Sequence, residues 1–133
     1  MSAQQSISAG TQAHSHWEAI STGDVTTLMR DYSPDAVLHW KDGAFEGEHV
    51  GAEAIRGVWV KFARMRAPMS LTVGNVREKG GSQGSRIVTA DVTLSSAAWT
   101  YPLAYRLVFR GGKIVEETWQ TAKPDTDSGP LSP

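Results

Sequence analysis

The chain of 133 residues contains no cysteine. This absence excludes a disulfide, a thiolate nucleophile and a metal site with cysteine ligands. The chain also lacks any run of the roughly 20 apolar residues that a membrane-spanning helix needs. Its first residues, MSAQQSISAGTQ, carry neither the basic residue nor the apolar run of a secretory signal. We therefore predict a cytoplasmic protein that makes no contact with a membrane.

The chain has no excess of charge of one sign either, because its 13 Lys and Arg residues are balanced by 14 Asp and Glu residues. Without a basic surplus, the electrostatic signature of nucleic-acid binding is absent. The motifs HExxH, GxGxxG and GxxxxGK[ST] do not occur. His14 and His16 are two residues apart and do not share a helix face, which makes them a poor metal pair. We expect no metal, no other cofactor and no nucleic-acid partner.

Tryptophan, by contrast, is abundant. Each tryptophan adds a large flat apolar surface and one N–H group that needs a partner when it is buried. Taken singly, each side chain is typical of a core that uses large residues. If several converge on one cavity, they form flat walls that suit a cyclic or aromatic ligand. The five tryptophans are Trp17, Trp40, Trp59, Trp99 and Trp119.

Composition predicts a single domain over residues 11–122, because a chain of this length supports one core. The flanking segments, residues 1–10 and 123–133, are predicted to be flexible. They are polar and rich in serine, proline and glycine, and such segments bury too little apolar surface to become ordered.

Three helices are predicted in the first half of the chain. The first covers about residues 11–22 and stops at Gly23, and Asp24 is the N-cap of the second. Apolar positions at helical spacing extend the second helix to Tyr32, before a turn at residues 33–35. The third covers about residues 52–66 and buries a face that ends with Phe62 and Met65.

Strands follow from alternating apolar and polar residues. A strand is predicted at residues 36–40 and a short one at Phe45. From Met69 onward the period-two pattern predicts four strands, at residues 69–79, 86–95, 99–110 and 113–121. Three helices followed by a long antiparallel sheet define an α+β fold.

The last hairpin yields a candidate site. If Gly111-Gly112 is a two-residue turn, Arg106 lies directly opposite Glu117 and Ala104 lies opposite Trp119. Glu117 is then a candidate acid or base, with Arg106 as its electrostatic partner or as a donor to an oxyanion. The alternative is a surface ion pair between strands, worth about 0–1 kcal/mol.

Two further polar residues have two interpretations each. His16, beside Trp17, is either a general acid or base facing a cavity or a histidine on the helix surface. Asp91 lies in the middle of a strand. It is either a base whose pKa is raised inside a cavity or part of a solvated strand face.

The segments STGDVTTLMRDYSPDAVLHW, FEGEHVGAEAIRGVW and GGKIVEETWQ span most of residues 15–121. In this order and spacing they resemble the NTF2-like superfamily and its SnoaL-like branch of polyketide-cyclase type. The resemblance implies a cystatin-like cone, in which three N-terminal helices pack on a curved antiparallel sheet around a deep, mostly apolar pocket. It also implies a homodimer formed through the outer sheet face.

Alignment with the ketosteroid isomerases of this superfamily disfavours their reaction. His16 stands where that family keeps its oxyanion-hole tyrosine. Trp40 replaces the aspartate that abstracts the proton, and Ala104 replaces the protonated aspartic acid.

For His39 two alternatives stay open. Many members of the SnoaL-like branch place a histidine there, which argues for a position facing the pocket. Strand alternation with an inward Trp40 instead turns His39 toward a structural role or a subunit contact.

The resemblance and the residues together predict a small-molecule pocket protein that acts on, or binds, a hydrophobic cyclic carbonyl compound. As an enzyme it would be a cofactor-free cyclase, dehydratase or isomerase that works by general acid–base proton transfer. The alternatives are a non-catalytic ligand-binding protein and an association module that uses its sheet face. The catalytic candidates are His16, Asp91, Arg106 and Glu117. The expected pocket lining is Trp17, Ile20, Leu28, Tyr32, Leu38, Trp40, Ile55, Val58, Trp59, Phe62, Trp99, Ala104 and Trp119.

Overall fold

A computed structural model describes residues 8–41 and 43–122. The predicted flexible tail at 123–133 and most of the predicted flexible N-terminus lie outside these residues. The first helix begins at Ala9, inside the N-terminal segment expected to be flexible. In chain order the elements are α1 (Ala9–Thr22), α2 (Val25–Arg30), β1 (Tyr32–Trp40), β2 (Gly47–Val50), α3 (Ala52–Arg66), β3 (Ser70–Gly80), β4 (Arg86–Ser95), β5 (Thr100–Arg110) and β6 (Lys113–Thr121).

The strands form one curved, unclosed sheet in the order β2-β1-β6-β5-β4-β3, with the helices packed on it. The predicted α+β fold of helices on a curved sheet is confirmed. The prediction of an entirely antiparallel sheet is wrong at one point, because β1 and β6 run parallel. The strands from β3 to β6 follow each other as antiparallel neighbours, and the last of them then lies beside β1.

The boundaries of the first two helices follow the capping rules. Gly23 adopts a left-handed conformation with φ of 79° and donates its N–H to the carbonyl of Ala19 at 3.0 Å. The side chain of Asp24 accepts the N–H of Thr27 at 3.2 Å. The predicted stop at Gly23 and the predicted N-cap at Asp24 are both confirmed.

The end of the second helix differs from the prediction. The helix stops at Arg30, and Tyr32 is already the first residue of β1. The expected turn at residues 33–35 is therefore part of the strand, at an irregularity where the register with β6 shifts between Tyr32 and Val37. Pro34 fits this irregular stretch because it has no N–H to donate to a regular ladder. The backbone N–H of Ile114 bonds the carbonyl of Asp31 at 2.6 Å and joins β6 to this entry point.

Two smaller predictions are also corrected. The short second strand is Gly47–Val50 and does not include Phe45, whose ring instead packs edge-on against Trp40 with centroids 5.2 Å apart. Met65 lies in the last turn of α3 and is 49% exposed, so the buried face of this helix ends at Phe62. The predicted extent of α3, residues 52–66, matches the structure.

The core lies between the helices and one face of the sheet. Helix α1 packs on β3 and β4, and α3 packs on β1. The five largest fully buried side chains are aromatic: Trp17, Trp59, Trp119, Tyr105 and Phe62. Side chains therefore fill much of the interior that the resemblance predicted to be a deep cavity. Among the described residues, no helix is long and apolar enough to cross a membrane.

Candidate functional site

A group of polar side chains lies within this aromatic interior. The group, named here the buried polar cluster, consists of His16 from α1, Asp31 at the end of α2, Tyr32 from β1, Tyr105 from β5 and Glu117 from β6. His16 and Glu117 have no solvent exposure at all. Ionisable groups at such depth are stable only when partners satisfy them.

Glu117 is the central acceptor of the cluster. The hydroxyl of Tyr32 donates to its Oε1, and the hydroxyl of Tyr105 donates to its Oε2. His16 Nε2 lies 3.0 Å from the same Oε2. The indole N–H of Trp59 donates to the Tyr32 hydroxyl at 2.8 Å and extends the network. Hydrogen bonds to a charged acceptor are the strong kind, so the carboxylate is held in one orientation.

His16 bridges two carboxylates. Its Nδ1 lies 2.8 Å from Asp31 Oδ2, opposite the contact with Glu117. Burial by itself lowers the pKa of His16, but the charge of Glu117, the hydrogen bonds to Asp31 and Glu117 and the charge of Asp31 outweigh it and raise the pKa to about 9. The imidazole is therefore protonated near neutral pH, with both ring nitrogens as donors.

The two tyrosines stay protonated over the same range. Burial raises the pKa of Tyr32 and of Tyr105 well above the usual value, and the negative charge of Glu117 raises both further. The cluster thus combines an imidazolium, two carboxylates and two hydroxyl donors, with His16 and both hydroxyls within hydrogen-bond distance of Glu117. Such a set can hold and transfer a proton by general acid–base chemistry.

Glu117 faces inward because β6 contains a bulge. Between β5 and β6, Phe109 pairs with Ile114, but Val108 pairs with Glu116, so Val115 is an extra residue in β6. This bulge brings Ile114 and Glu117 to the same buried face although they are three positions apart.

The predicted pairing of Arg106 with Glu117 is wrong for this reason. The turn at Gly111-Gly112 is present, with φ of 59° and 79°, and the register near it is as expected. Beyond the bulge the register slips by one residue, and Arg106 lies opposite Thr118. Its side chain is 42% exposed on the outer face, with Nη1 3.5 Å from Glu116 Oε1.

Asp91 and Ala104 also lie on the outer face. They pair with each other across β4 and β5, and both are exposed. Asp91 accepts a hydrogen bond of 2.6 Å from the side chain of Asn75. The expected inward position of Ala104 is therefore wrong, since Leu103 and Tyr105 on either side of it point inward. The placement of Asp91 corresponds to the solvated strand face, outside the buried polar cluster.

His39 lies on the outer face too, while the next residue, Trp40, is buried. His39 Nε2 is 2.9 Å from Glu116 Oε2, and its Nδ1 is 3.2 Å from Glu48 Oε2. The alternation argument thus describes its position correctly. Together with Arg106, these side chains border an outer hollow of about 510 Å³.

A second feature of the interior side is an open pocket of about 240 Å³, named here the aromatic pocket. Trp40 and Trp119 stack in it with centroids 4.0 Å apart and planes 15° from parallel. At the rim, Trp99 is 46% exposed and lies parallel to Tyr101. The lining residues are Trp40, Gly43, Ala44, Phe45, Phe62, Arg66, Trp99, Tyr101, Trp119 and Thr121.

The aromatic pocket and the buried polar cluster share a wall. The ring of Trp59 lies 5.5 Å from that of Trp40, while its N–H bonds Tyr32 of the cluster. On the other side, the ring of Trp119 lies 6.0 Å from that of Tyr105. A ligand in the pocket would therefore be one aromatic layer away from the ionisable groups.

Apart from Ala104 on the outer face, the expected pocket residues divide into two groups. Those that line the aromatic pocket are Trp40, Phe62, Trp99 and Trp119. Those that are buried behind it in the core are Trp17, Ile20, Leu28, Tyr32, Leu38, Ile55, Val58 and Trp59.

Sequence reasoning missed Asp31, Arg66, Tyr101 and Tyr105. For Tyr105 a signal existed, because Leu103, Tyr105 and Leu107 alternate with more polar neighbours in β5 and predict its inward face. Within residues 8–41 and 43–122, no group of three or more histidine, aspartate or glutamate side chains is arranged to hold a metal ion.

Comparison with known proteins identifies the fold family. The family model described as the SnoaL-like domain matches residues 13–117. No curated protein sequence gives a significant match.

Several solved structures share the fold at low identity. A candidate polyketide cyclase from Sinorhizobium meliloti is 23% identical with a TM-score of 0.54, over 81% of this chain and 92% of its own. A candidate ketosteroid isomerase from Parabacteroides distasonis is 15% identical with a TM-score of 0.69, over 88% and 90%. The canthaxanthin-binding orange carotenoid protein of Anabaena is 18% identical with a TM-score of 0.70, over 90% of this chain. The chain spans only 38% of that protein's length.

Proposed function

We propose that this chain, which belongs to the SnoaL-like domain family, is a small-molecule pocket protein that binds a hydrophobic cyclic carbonyl compound. The observation that carries the proposal is the aromatic pocket, whose lining residue Trp119 also packs against Tyr105 of the buried polar cluster. Its volume of about 240 Å³ is below the roughly 300–1,000 Å³ of pockets for drug-sized ligands, which favours a compound of one or two rings.

The walls support a planar ligand. Trp40 and Trp119 present flat π surfaces, and Trp99 with Tyr101 adds a parallel pair at the rim. Each favourable aromatic contact contributes about 0.5–1.5 kcal/mol beyond the area it buries. Several such contacts give useful affinity for a planar ring without any charged partner.

Titration with a neutral bicyclic ketone, 1-tetralone, tests this proposal by tryptophan fluorescence and calorimetry. We expect Trp99→Ala and Trp119→Phe to weaken binding about two- to tenfold, the loss of one aromatic contact. The matched control is Trp17→Phe, because Trp17 is buried but does not line the pocket. Absence of ketone binding, or equal affinity in all three variants, contradicts the proposal.

A second candidate function is proton-transfer catalysis without a cofactor. The specific observation in its favour is the pairing of His16 with Glu117 one aromatic layer behind the pocket. Glu117 would take the proton from the carbon next to the ligand's carbonyl and His16 would donate a proton to the carbonyl oxygen, with the Tyr32 and Tyr105 hydroxyls orienting the carboxylate. Contact with a ligand requires the ring of Trp59 or Trp119 to move aside. Asp91 and Arg106, on the outer face, have no part in this mechanism.

Deuterium exchange at the carbon next to the carbonyl of 1-tetralone, followed by NMR, separates the two functions. An acid–base enzyme accelerates the exchange, and Glu117→Gln removes the acceleration while the folded variant still binds the ketone. Glu116→Gln, on the outer face, is the control and should keep it. Ketone binding without exchange in the native chain supports a binding protein and rejects the enzyme.

For the homodimer, we propose the outer sheet face as the contact. It carries both charge signs, with Arg106 beside Glu116 and with His39 between Glu48 and Glu116. A two-fold axis can match such a surface to itself. The exposed large apolar side chains of the described residues, Val50, Met65, Val76 and Trp99, do not include the residues that border the outer hollow. This favours a polar contact over an association module built on an apolar face.

A cytoplasmic location and independence of cofactors stay predictions.

A further inference from the structure

We propose that the aromatic pocket selects a planar aromatic carboxylate, with the guanidinium of Arg66 as its counter-ion. The inference rests on the proposed function, since the pocket must first bind a cyclic ligand. It adds the chemical class of that ligand, an organic anion of one or two rings.

Among the described residues, the guanidinium of Arg66 contacts neutral groups only. Its Nε donates to the hydroxyl of Tyr101 at 2.6 Å, and its Nη1 donates to the carbonyl of Met65 at 3.3 Å. The guanidinium carbon lies 3.8 Å above the ring of Trp99. Among the described residues, no carboxylate forms an ion pair with Arg66, whereas Arg86 pairs with Glu78.

Arg66 is also the only charged side chain among the described residues that line the aromatic pocket. The other described lining residues are aromatic rings, Gly43, Ala44 and Thr121. In such apolar surroundings an electrostatic attraction is stronger than in water, because fewer water dipoles screen it. The pocket therefore offers a positive end and aromatic walls, which matches an anion attached to a flat ring.

The position of the guanidinium suits a carboxylate rather than a diffuse negative charge. Stacking on Trp99 and the bond to Tyr101 restrict its rotation at the rim. Its Nη2 makes no hydrogen bond to any described residue. A planar guanidinium held in this way can donate two parallel hydrogen bonds to a carboxylate, and little further ordering is needed on binding.

A matched pair of probes tests the inference. 2-Naphthoate and 2-naphthamide share shape and ring system but differ in charge, and their affinities are measured by isothermal titration calorimetry. Since a hydrogen bond to a charged group contributes more than a neutral one, we expect the carboxylate to bind about tenfold or more tightly than the amide.

Variants assign the preference to Arg66. Arg66→Met should abolish the preference for the carboxylate, because the positive charge is lost together with its contacts to Trp99 and Tyr101. The amide affinity should stay within about twofold. Arg66→Lys should retain part of the preference. Arg64→Met is the control, since Arg64 is exposed in the same helical turn and does not line the pocket. Equal binding of the two probes to the native chain, or an unchanged preference in Arg66→Met, overturns the inference.

These measurements distinguish failure of the proposed anion preference from failure of the proposed pocket function. If 1-tetralone binds but 2-naphthoate has no advantage over 2-naphthamide, the pocket function stands and the anion preference is rejected. If none of the three compounds binds, both proposals are rejected.

Discussion

His16 carries the positive charge that allows two carboxylates to lie beside it in a nearly dry interior. It contacts Glu117, which has no exposure, and Asp31, whose side chain is 20% exposed. Without that charge, the two negative groups would face each other across a space with little water to screen them. The protonation state of one residue is therefore linked to the stability of the chain.

The first prediction concerns the pH dependence of folding. The pKa of His16 is about 9 in the folded chain against 6.5 for an ordinary histidine. A raised pKa means that the stabilisation is complete below pH 6.5 and is lost as the pH rises through 9. We expect the free energy of unfolding, measured by urea denaturation, to fall over this window by an amount on the order of 3 kcal/mol.

Two histidine variants complete that experiment. His16→Gln should be less stable and should lose the pH dependence in the same window. His14→Gln removes an exposed neighbour and should keep the slope of the native chain. A flat stability profile in the native chain would show that His16 does not hold its proton in the way described.

The second prediction concerns Glu117. Glu117→Gln removes the negative partner of His16 and sets an amide NH₂ against hydroxyl donors, so we expect a loss of about 3–5 kcal/mol in the free energy of unfolding. Glu116→Gln is the matched control, since this neighbouring side chain is 41% exposed and its ion pairs should contribute only about 0–1 kcal/mol. Equal losses in the two variants would argue against a buried charge network.

At the scale of the elements, helix α3 supplies Trp59 and Phe62 to the interior, and its last residue, Arg66, reaches the pocket rim. Gly57 lies on the exposed side of the same helix, and a Cβ at this position would meet no atom within 4 Å. Glycine in a helix interior is less favourable than alanine because it loses more backbone freedom on folding.

The third prediction compares Gly57, inside α3, with Gly23, which ends α1. We expect Gly57→Ala to raise the free energy of unfolding by about 0.5–1 kcal/mol. The opposite result is expected for Gly23→Ala, because Gly23 has φ of 79° and its new Cβ would lie 2.8 Å from the Cβ of Ala67. Thermal denaturation of both variants checks the pair, and a stabilised Gly23→Ala would contradict the C-cap geometry.

The element scale also shows where sequence reasoning succeeds. Capping at Gly23 and Asp24, the extent of α3 and the turn at Gly111-Gly112 depend on contacts between residues close in the chain. The bulge at Val115 was not predicted, because nothing in the local sequence distinguishes it from a regular strand. One extra residue was enough to move Arg106 away from Glu117.

For the whole molecule, the sheet separates two environments. The helix-covered face contains the aromatic interior, and the outer face contains the ion pair of Arg106 with Glu116 and the polar contact of His39 with Glu116. Exposed charges of this kind are screened by salt, whereas buried pairs are screened much less. Assembly and internal stability should therefore respond differently to ionic strength.

The fourth prediction uses this difference. If two copies meet through the outer face, sedimentation velocity should show a dimer that dissociates more readily at high than at low ionic strength. Arg106→Glu should weaken the dimer without changing the free energy of unfolding by more than about 1 kcal/mol, because the side chain is 42% exposed. Arg86→Glu is the control, since Arg86 pairs with Glu78 and does not border the outer hollow. A monomer under all conditions would reject the proposed contact.

The sequence by itself determined the α+β fold and most helix and strand boundaries, and the family was indicated by the resemblance of three segments to known proteins. The fold and the boundaries follow from periodicity, capping and composition, which act over a few neighbouring residues. Only the tertiary structure decided which polar groups meet. His16 and Glu117 are 101 residues apart in the chain, and their contact depends on a bulge in β6 and on the packing of α1 over the sheet. Arg66 reaches the aromatic pocket for the same kind of reason, because the end of α3 meets Tyr101 of β5 only after the chain has folded.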